Sequence, residues 1–167
     1  MPDAPAPKPV TLDIAFAKLI LGYLSTPAAI AAGLPTVEQL PRVHVFDNKA
    51  KTFPLLVIAG SVKPDGTTNR EVTVVCALHS KMAKEGEPAT REDYAQIMAT
   101  VETLLHDQPA IIAYIQSLPE DAIIFPTGTR VARMWPGTVG LGQPDREYGT
   151  ETIPCDIRFK VRVMAAD

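Results

Sequence analysis

The 167-residue chain carries 16 Lys+Arg against 19 Asp+Glu, a formal net charge of −3, with 46% hydrophobic and 21% charged residues. That length suits one domain able to bury roughly two-thirds of its unfolded surface, and the acidic balance excludes a domain whose overall charge grips nucleic-acid phosphates. No run of 18 apolar residues occurs, which argues against a membrane span, and Cys76 and Cys155 stand too far apart for a CxxC metal or redox motif.

Residues 1–10 (MPDAPAPKPV) are rich in proline and alanine and predict a flexible arm without a signal-peptide core, hence a chain that is cytosolic when made, with reduced thiols. A single domain is predicted over 11–167. Thr11 is a candidate N-cap, and Leu12, Ala15, Phe16, Leu19, Ile20 and Tyr23 recur at helical spacing. Ser25-Thr26-Pro27 closes that helix, and a short alanine-rich helical piece follows to Ala32, ended by Gly33.

Strand signals come next. Arg42–Asp47 (RVHVFD) is short and β-branched, and Phe53–Ala59 (FPLLVIA) is a continuous apolar run, expected of a strand buried on both faces or at an interface. Lys63-Pro64-Asp65-Gly66 reads as a turn. Arg70–Ser80 then alternates, with Val72, Val74, Cys76 and Leu78 on one face.

Residues 81–89 are polar and turn-like. The longest helix is predicted to open at Thr90, with an apolar stripe of Ile97, Met98, Val101, Leu104 and Leu105. Asp107-Gln108-Pro109 ends it and starts a shorter helix, whose apolar face is Ile111, Ile112, Ile115 and Leu118. Ala122–Phe125 and Thr129–Trp135 are predicted strands around a Pro126-Thr127-Gly128 turn. Residues 136–150, with four glycines and two prolines, are predicted to be a mobile loop. In Thr152–Val163 (TIPCDIRFKVRV), Ile153, Cys155, Ile157, Phe159, Val161 and Val163 alternate with polar residues, which predicts a half-buried strand. This order gives an α+β domain: a mixed, mainly antiparallel sheet with helices packed on one face.

Catalytic constellations are absent from the sequence. His44, His79 and His106 lack HExxH spacing, and ordinary partly buried or surface roles suit them; a pocket built on His44 and His79 is the enzymatic or ligand-binding alternative. Both cysteines fall on apolar strand faces and read as small core hydrophobes. Gly137, Gly140 and Gly142 have GxxGxG spacing, the reverse of a dinucleotide fingerprint. Glu92, Asp93, Glu102 and Asp107 suit solvated helix faces and N-terminal dipole positions. No catalytic, metal or cofactor-binding residue is therefore assigned.

Two features point instead to contacts with other macromolecules. Arg158, Lys160 and Arg162 share one strand face about 7 Å apart, close enough to repel unless something anionic faces them. Phe46, Phe53, Met134 and Trp135 are apolar residues at loops, where interface anchors are often found. These seven residues are the candidate interface, with a nucleic-acid module using the three cations as a further alternative.

The order of elements resembles the tail-terminator or tail-completion proteins of long-tailed phages, of the minor tail protein U type. The resemblance rests on an amphipathic helix at Leu12–Tyr23, then RVHVFD, the strand pair FPLLVIAG and REVTVVCALHS, the central helix YAQIMATVETLLHD and the closing strand ETIPCDIRFKVRV. The helix at 109–118 and the glycine-rich 136–150 segment depart from the family pattern, and neck or head-closure proteins are the neighbouring families. The resemblance implies a structural virion protein with no enzymatic activity and no cofactor. It would form a ring, hexameric in the family, that caps the tail tube, ends its polymerisation and offers a docking surface to the head connector. Implied partners are further copies of the chain, the tail tube protein and the neck connector, with the tail sheath as another candidate. DNA would be only passing cargo in the lumen, and no membrane is involved. The implied location is the head-proximal end of the tail, after synthesis in the host cytoplasm. The hairpin around Lys63–Asn69, the 136–150 segment and the N-terminal arm would be the elements that order on assembly.

Overall fold

A computed structural model describes residues 10–44, 53–81, 88–119, 122, 125–126, 128–145 and 149–163. The N-terminal arm and Phe46 lie outside them. Helix α1 (Leu12–Tyr23) forms where the 3.6-residue period predicts it and buries Ala15, Phe16, Leu19 and Ile20 completely. Thr11 occupies the N-cap position in extended backbone, but its hydroxyl makes no capping bond. Helix α2 (Pro27–Ala31) is capped conventionally, Ala29 N donating to Thr26 Oγ1 at 3.3 Å, and the chain leaves through Gly33 at φ +105°.

The sheet runs β1-β2-β3-β6-β4, with β5 also paired to β6, and only the β1–β2 pair is parallel. Strand β1 is Arg42–Val43 with His44 just outside it, and residues 45–47 of the expected strand lie outside the described residues. Strand β2 (Leu55–Asp65) pairs along its full length with strand β3 (Asn69–Lys81). The turn is therefore at 66–68 with Gly66 at φ +79°, not at Lys63–Gly66 as expected from the Pro-Asp-Gly signal. Pro64 is tolerated inside β2 for a physical reason. Leu56 N donates sideways to Pro41 O, toward β1. Pro64 has the same parity, so its missing N–H falls on the outer edge, where no partner loses a bond.

Helix α3 (Pro88–His106) starts before Thr90, placing that residue inside the first turn, and seals Met98, Val101 and Leu105 against the sheet. Helix α4 (Gln108–Ser117) is capped by Asp107, whose Oδ1 accepts from Ala110 N at 3.1 Å. Ile111 is buried as expected, but Ile112 is 45% exposed. Ala122 and Phe125, expected in a strand, belong to none; Phe125 instead packs edge-on against Phe16, ring centroids 5.3 Å apart.

The largest difference from expectation is at 136–150. Strand β4 spans Thr129–Val139, strand β5 spans Gln143–Asp145, and strand β6 spans Thr150–Val163. Pro136 and the glycines read as breakers, yet Pro136 sits on an edge strand, where a missing N–H costs little. Gly137 is required by close approach, since a Cβ there would fall 2.1 Å from the Asp156 carbonyl oxygen.

Two alternating faces build the core. Val72, Val74, Cys76 and Leu78 of β3 and Cys155, Ile157, Phe159 and Val161 of β6 turn toward the helices, as their period of two requires. All helices pack on this side, giving an α+β fold with a mixed, mostly antiparallel sheet. Arg42 locks the layers together: its guanidinium donates to the carbonyls of Leu24 and Pro35 and to Ser25 Oγ. A cation against the last carbonyls of α1 also complements the helix dipole.

Candidate functional site

The face of the sheet away from the helices is the part of the molecule with concentrated, unneutralised chemistry. Register places Arg158, Lys160 and Arg162 of β6 on it, as their alternation predicts. Strand β4 adds Arg130 opposite Arg162, Arg133 opposite Lys160 and Trp135 opposite Arg158. Strand β2 adds Lys63, one strand beyond Glu71.

The presence of both Arg130 and Arg133 on one face depends on a β-bulge. Residues three apart on a regular strand point to opposite faces. Ala132 is the extra residue between the pairs Val131↔Val161 and Arg133↔Lys160, and it returns Arg133 to the outer face. The same shift turns Met134 inward beside Phe159, where it packs against the core.

Six cations thus cluster at the hairpin end of the outer face, with Asp65, Glu71 and Asp156 as the acidic residues among them by register. Lys160 pairs with Asp65 at 3.2 Å. Among the described residues no ion pair forms to Arg130, Arg133, Arg158 or Arg162. The guanidiniums of Arg133 and Arg158 lie 5.0 and 5.9 Å from the Trp135 ring centroid, a cation–π arrangement that holds both side chains over the face.

The edges of the sheet form the second notable feature. On β4, side chains from the α3–α4 junction take up edge groups: Gln108 Nε2 donates to Met134 O at 3.2 Å, His106 Nε2 to Gly137 O at 2.8 Å, and Glu102 accepts from Val139 N at 3.4 Å. From sequence Glu102 reads as a solvated helix position, His106 as an ordinary histidine and Gln108 as part of a helix boundary; only tertiary register reveals that they blunt a strand edge. The Arg130–Arg133 stretch has no such cover among the described residues. Beneath it lies a groove of about 800 Å³ between β4 and α4, lined by Ile112, Ile115, Phe125, Val131 and Met134. On the opposite side, β1 covers β2 only at Leu56 and Val57, leaving Ser61–Asp65 as a second open edge among the described residues.

The structure therefore brings together Trp135, Arg158, Lys160 and Arg162. Met134 lies behind them on the core side, and Phe53 precedes β2, two strands from β6 and three from β4 in sheet order. Phe46 lies outside the described residues.

His44 lies just outside β1, and His79 and the two cysteines sit within the sheet. His79 Nδ1 shares a hydrogen bond with Thr152 Oγ1 at 3.0 Å, and burial holds its imidazole below the ordinary pKa. Cys76 and Cys155 are direct cross-strand neighbours on the core face, both free thiols. Burial pushes the Cys155 thiol up to about 12, with Glu102 and Asp156 adding repulsion, and pushes Cys76 up as well. Neither is a nucleophile at neutral pH. Among the described residues no group of three His, Cys, Asp or Glu could hold a metal ion, and no helix is long and apolar enough to cross a membrane.

No family model matches the chain, and no curated protein matches it. Among solved structures it is similar to a chain from the virion of a native gene transfer agent particle, with 13% identity and a TM-score of 0.47, covering 87% of this chain and 93% of that one.

Proposed function

We propose that this chain is a structural virion protein whose copies join head to tail into a closed ring, hexameric by family resemblance, that terminates a tail tube. In that reading the ring caps the last layer of tube protein, stops its growth and presents a surface to the neck connector. It uses no cofactor and performs no catalysis.

The observation that carries the reading is the pair of unlike open edges. Among the described residues, strand β2 is open over Ser61–Asp65 and strand β4 over Arg130–Arg133, on opposite sides of one sheet and both at its hairpin end. Alternation through β3 and β6 makes β4 antiparallel to β2, so β4 of one copy beside β2 of the next continues the antiparallel order. A contact between two different surfaces is heterologous and closes into a ring when the rotation permits. Pro64 limits the pairing: by the parity set at Leu56, Val62 is the last β2 residue to direct an N–H to that edge. The resemblance of the element order to tail terminators gives the ring its proposed task.

The test is native mass spectrometry with negative-stain imaging of the full chain, alone and with Val62→Pro. That substitution removes an edge donor the folded subunit does not use. A ring with a central hole that Val62→Pro reduces to folded monomers is the expected result. A wild-type monomer at high concentration, or a two-fold dimer, would overturn it.

A further inference from the structure

We infer that the outer face of β4 and β6 is a binding site for the phosphate backbone of a nucleic acid. The inference is independent of ring formation: it concerns a face of the sheet, whereas the ring reading concerns its edges.

Like charges face each other directly in two rungs, Arg130↔Arg162 and Arg133↔Lys160. Directly opposed like charges destabilise a sheet. Here Asp65 relieves only Lys160, so the arrangement persists at a cost that an external polyanion would remove. The chain as a whole has net charge −3, and the cluster is thus a local departure from its own background.

Three features favour phosphates over carboxylates of an acidic protein. Four of the five cations on these two strands are arginines, whose planar forks bind phosphate oxygens in pairs. Rungs two residues apart repeat at about 7 Å along a strand, about the axial advance of two phosphate steps on one DNA strand. Trp135 holds the guanidiniums of Arg133 and Arg158 in place before any ligand arrives, reducing the entropy lost on binding. Among the described residues no helix projects from this face to read bases, so contacts to backbone phosphates would position a duplex without selecting its sequence.

The experiment is fluorescence anisotropy of a labelled random-sequence 30-base-pair DNA duplex titrated with the full chain across a salt series. The expected result is measurable binding at low salt, with log K falling linearly against log salt at a slope of about −3, from three or four phosphate contacts. The double variant Arg158→Gln, Arg162→Gln should bind roughly tenfold or more weakly and flatten the slope by about 2. Should that variant fail to fold by circular dichroism, Arg130→Gln with Arg133→Gln carries the same expectation. Arg70→Gln is the control, because the Arg70 guanidinium is engaged by the Asn69 carbonyl on the other face. Binding that is absent at low salt, insensitive to salt, or unchanged in the double variants overturns the inference. Equal affinity for poly-L-glutamate of similar length also overturns it, since that would identify a general acidic-partner surface. Native mass spectra of the same variants separate failure of this site from failure of ring assembly.

Discussion

Replacing Gly60 by alanine tests how closely α1 rests on the sheet. A Cβ at Gly60 would lie 2.3 Å from the Asp13 carbonyl oxygen, 2.8 Å from its carbon and 3.0 Å from its Cα. An ordinary C···O contact needs about 3.3 Å or more, so the start of α1 must lift by about 1 Å. Both sides of the clash are backbone, and no rotamer change relieves it. A gap of that size forfeits a quarter to a half of each dispersion contact beneath the helix, where Phe16, Leu19 and Ile20 are fully buried. The cost should be about 3 kcal/mol, the upper part of the range for overpacked sites. At this chain length that lowers Tm by roughly 6–12 °C. Gly22→Ala is the matched comparison: its Cβ would meet the Tyr114 hydroxyl at 2.2 Å, the far end of a side chain that can swing away. Its expected change is under about 1 kcal/mol, because alanine also favours the helix. The assay is thermal and urea unfolding of the three proteins. A Gly60→Ala protein within 1 kcal/mol of wild type, or less affected than Gly22→Ala, would refute the packing argument.

Arg42→Met should cost roughly 2–3 kcal/mol in urea unfolding by stranding the Leu24 and Pro35 carbonyls; a neutral result would mean water replaces the guanidinium. Stability should fall above about pH 8.5, because the unfolded chain then loses thiol protons that buried Cys76 and Cys155 retain. The loss is about 2 kcal/mol per thiol by pH 10, and Cys76→Ala, Cys155→Ala should flatten the profile; an unchanged slope in that variant would sink the assignment. At acid pH the sign is set by His79, whose lowered pKa means the unfolded chain takes up its proton first. Stability should therefore drop as pH falls below about 6.5, and His79→Gln should lessen the drop in urea midpoints. Finally, His106→Ala with Gln108→Ala uncovers the Gly137 and Met134 carbonyls and should increase self-association in light scattering; unchanged scattering would show that the edge needs no cover.

The elements readable from sequence were those carrying a sustained period. Helix α1 and strands β3 and β6 declare themselves because Phe16, Val74 and Phe159 each belong to runs that bury one face. What stayed hidden depended on partners. Pro136 and Gly137 look like loop residues until β6 lies alongside, when Pro136 becomes harmless at an edge and Gly137 necessary against Asp156. Lys63-Pro64-Asp65 has every local mark of a turn, yet β3 extends the ladder through it. The cationic face was half legible. Period two places Arg158, Lys160 and Arg162 together, but no local rule places Arg130 and Arg133 beside them, because the bulge is a property of the strand pair.

The extra residue at Ala132 shows how a sheet can absorb a change in chain length without changing what its outer face carries. Deleting Ala132 would leave Val131 opposite Val161 and Arg130 opposite Arg162, and the regular ladder would keep both arginines outward. Straightening the strand with Ala132 retained would instead slip everything before Arg133 by one, turning Arg130 toward the helices and Val131 toward solvent. Ala132 is thus a slack link: a one-residue loss at the bulge leaves the cationic face intact, whereas the same loss inside a regular stretch would reverse it.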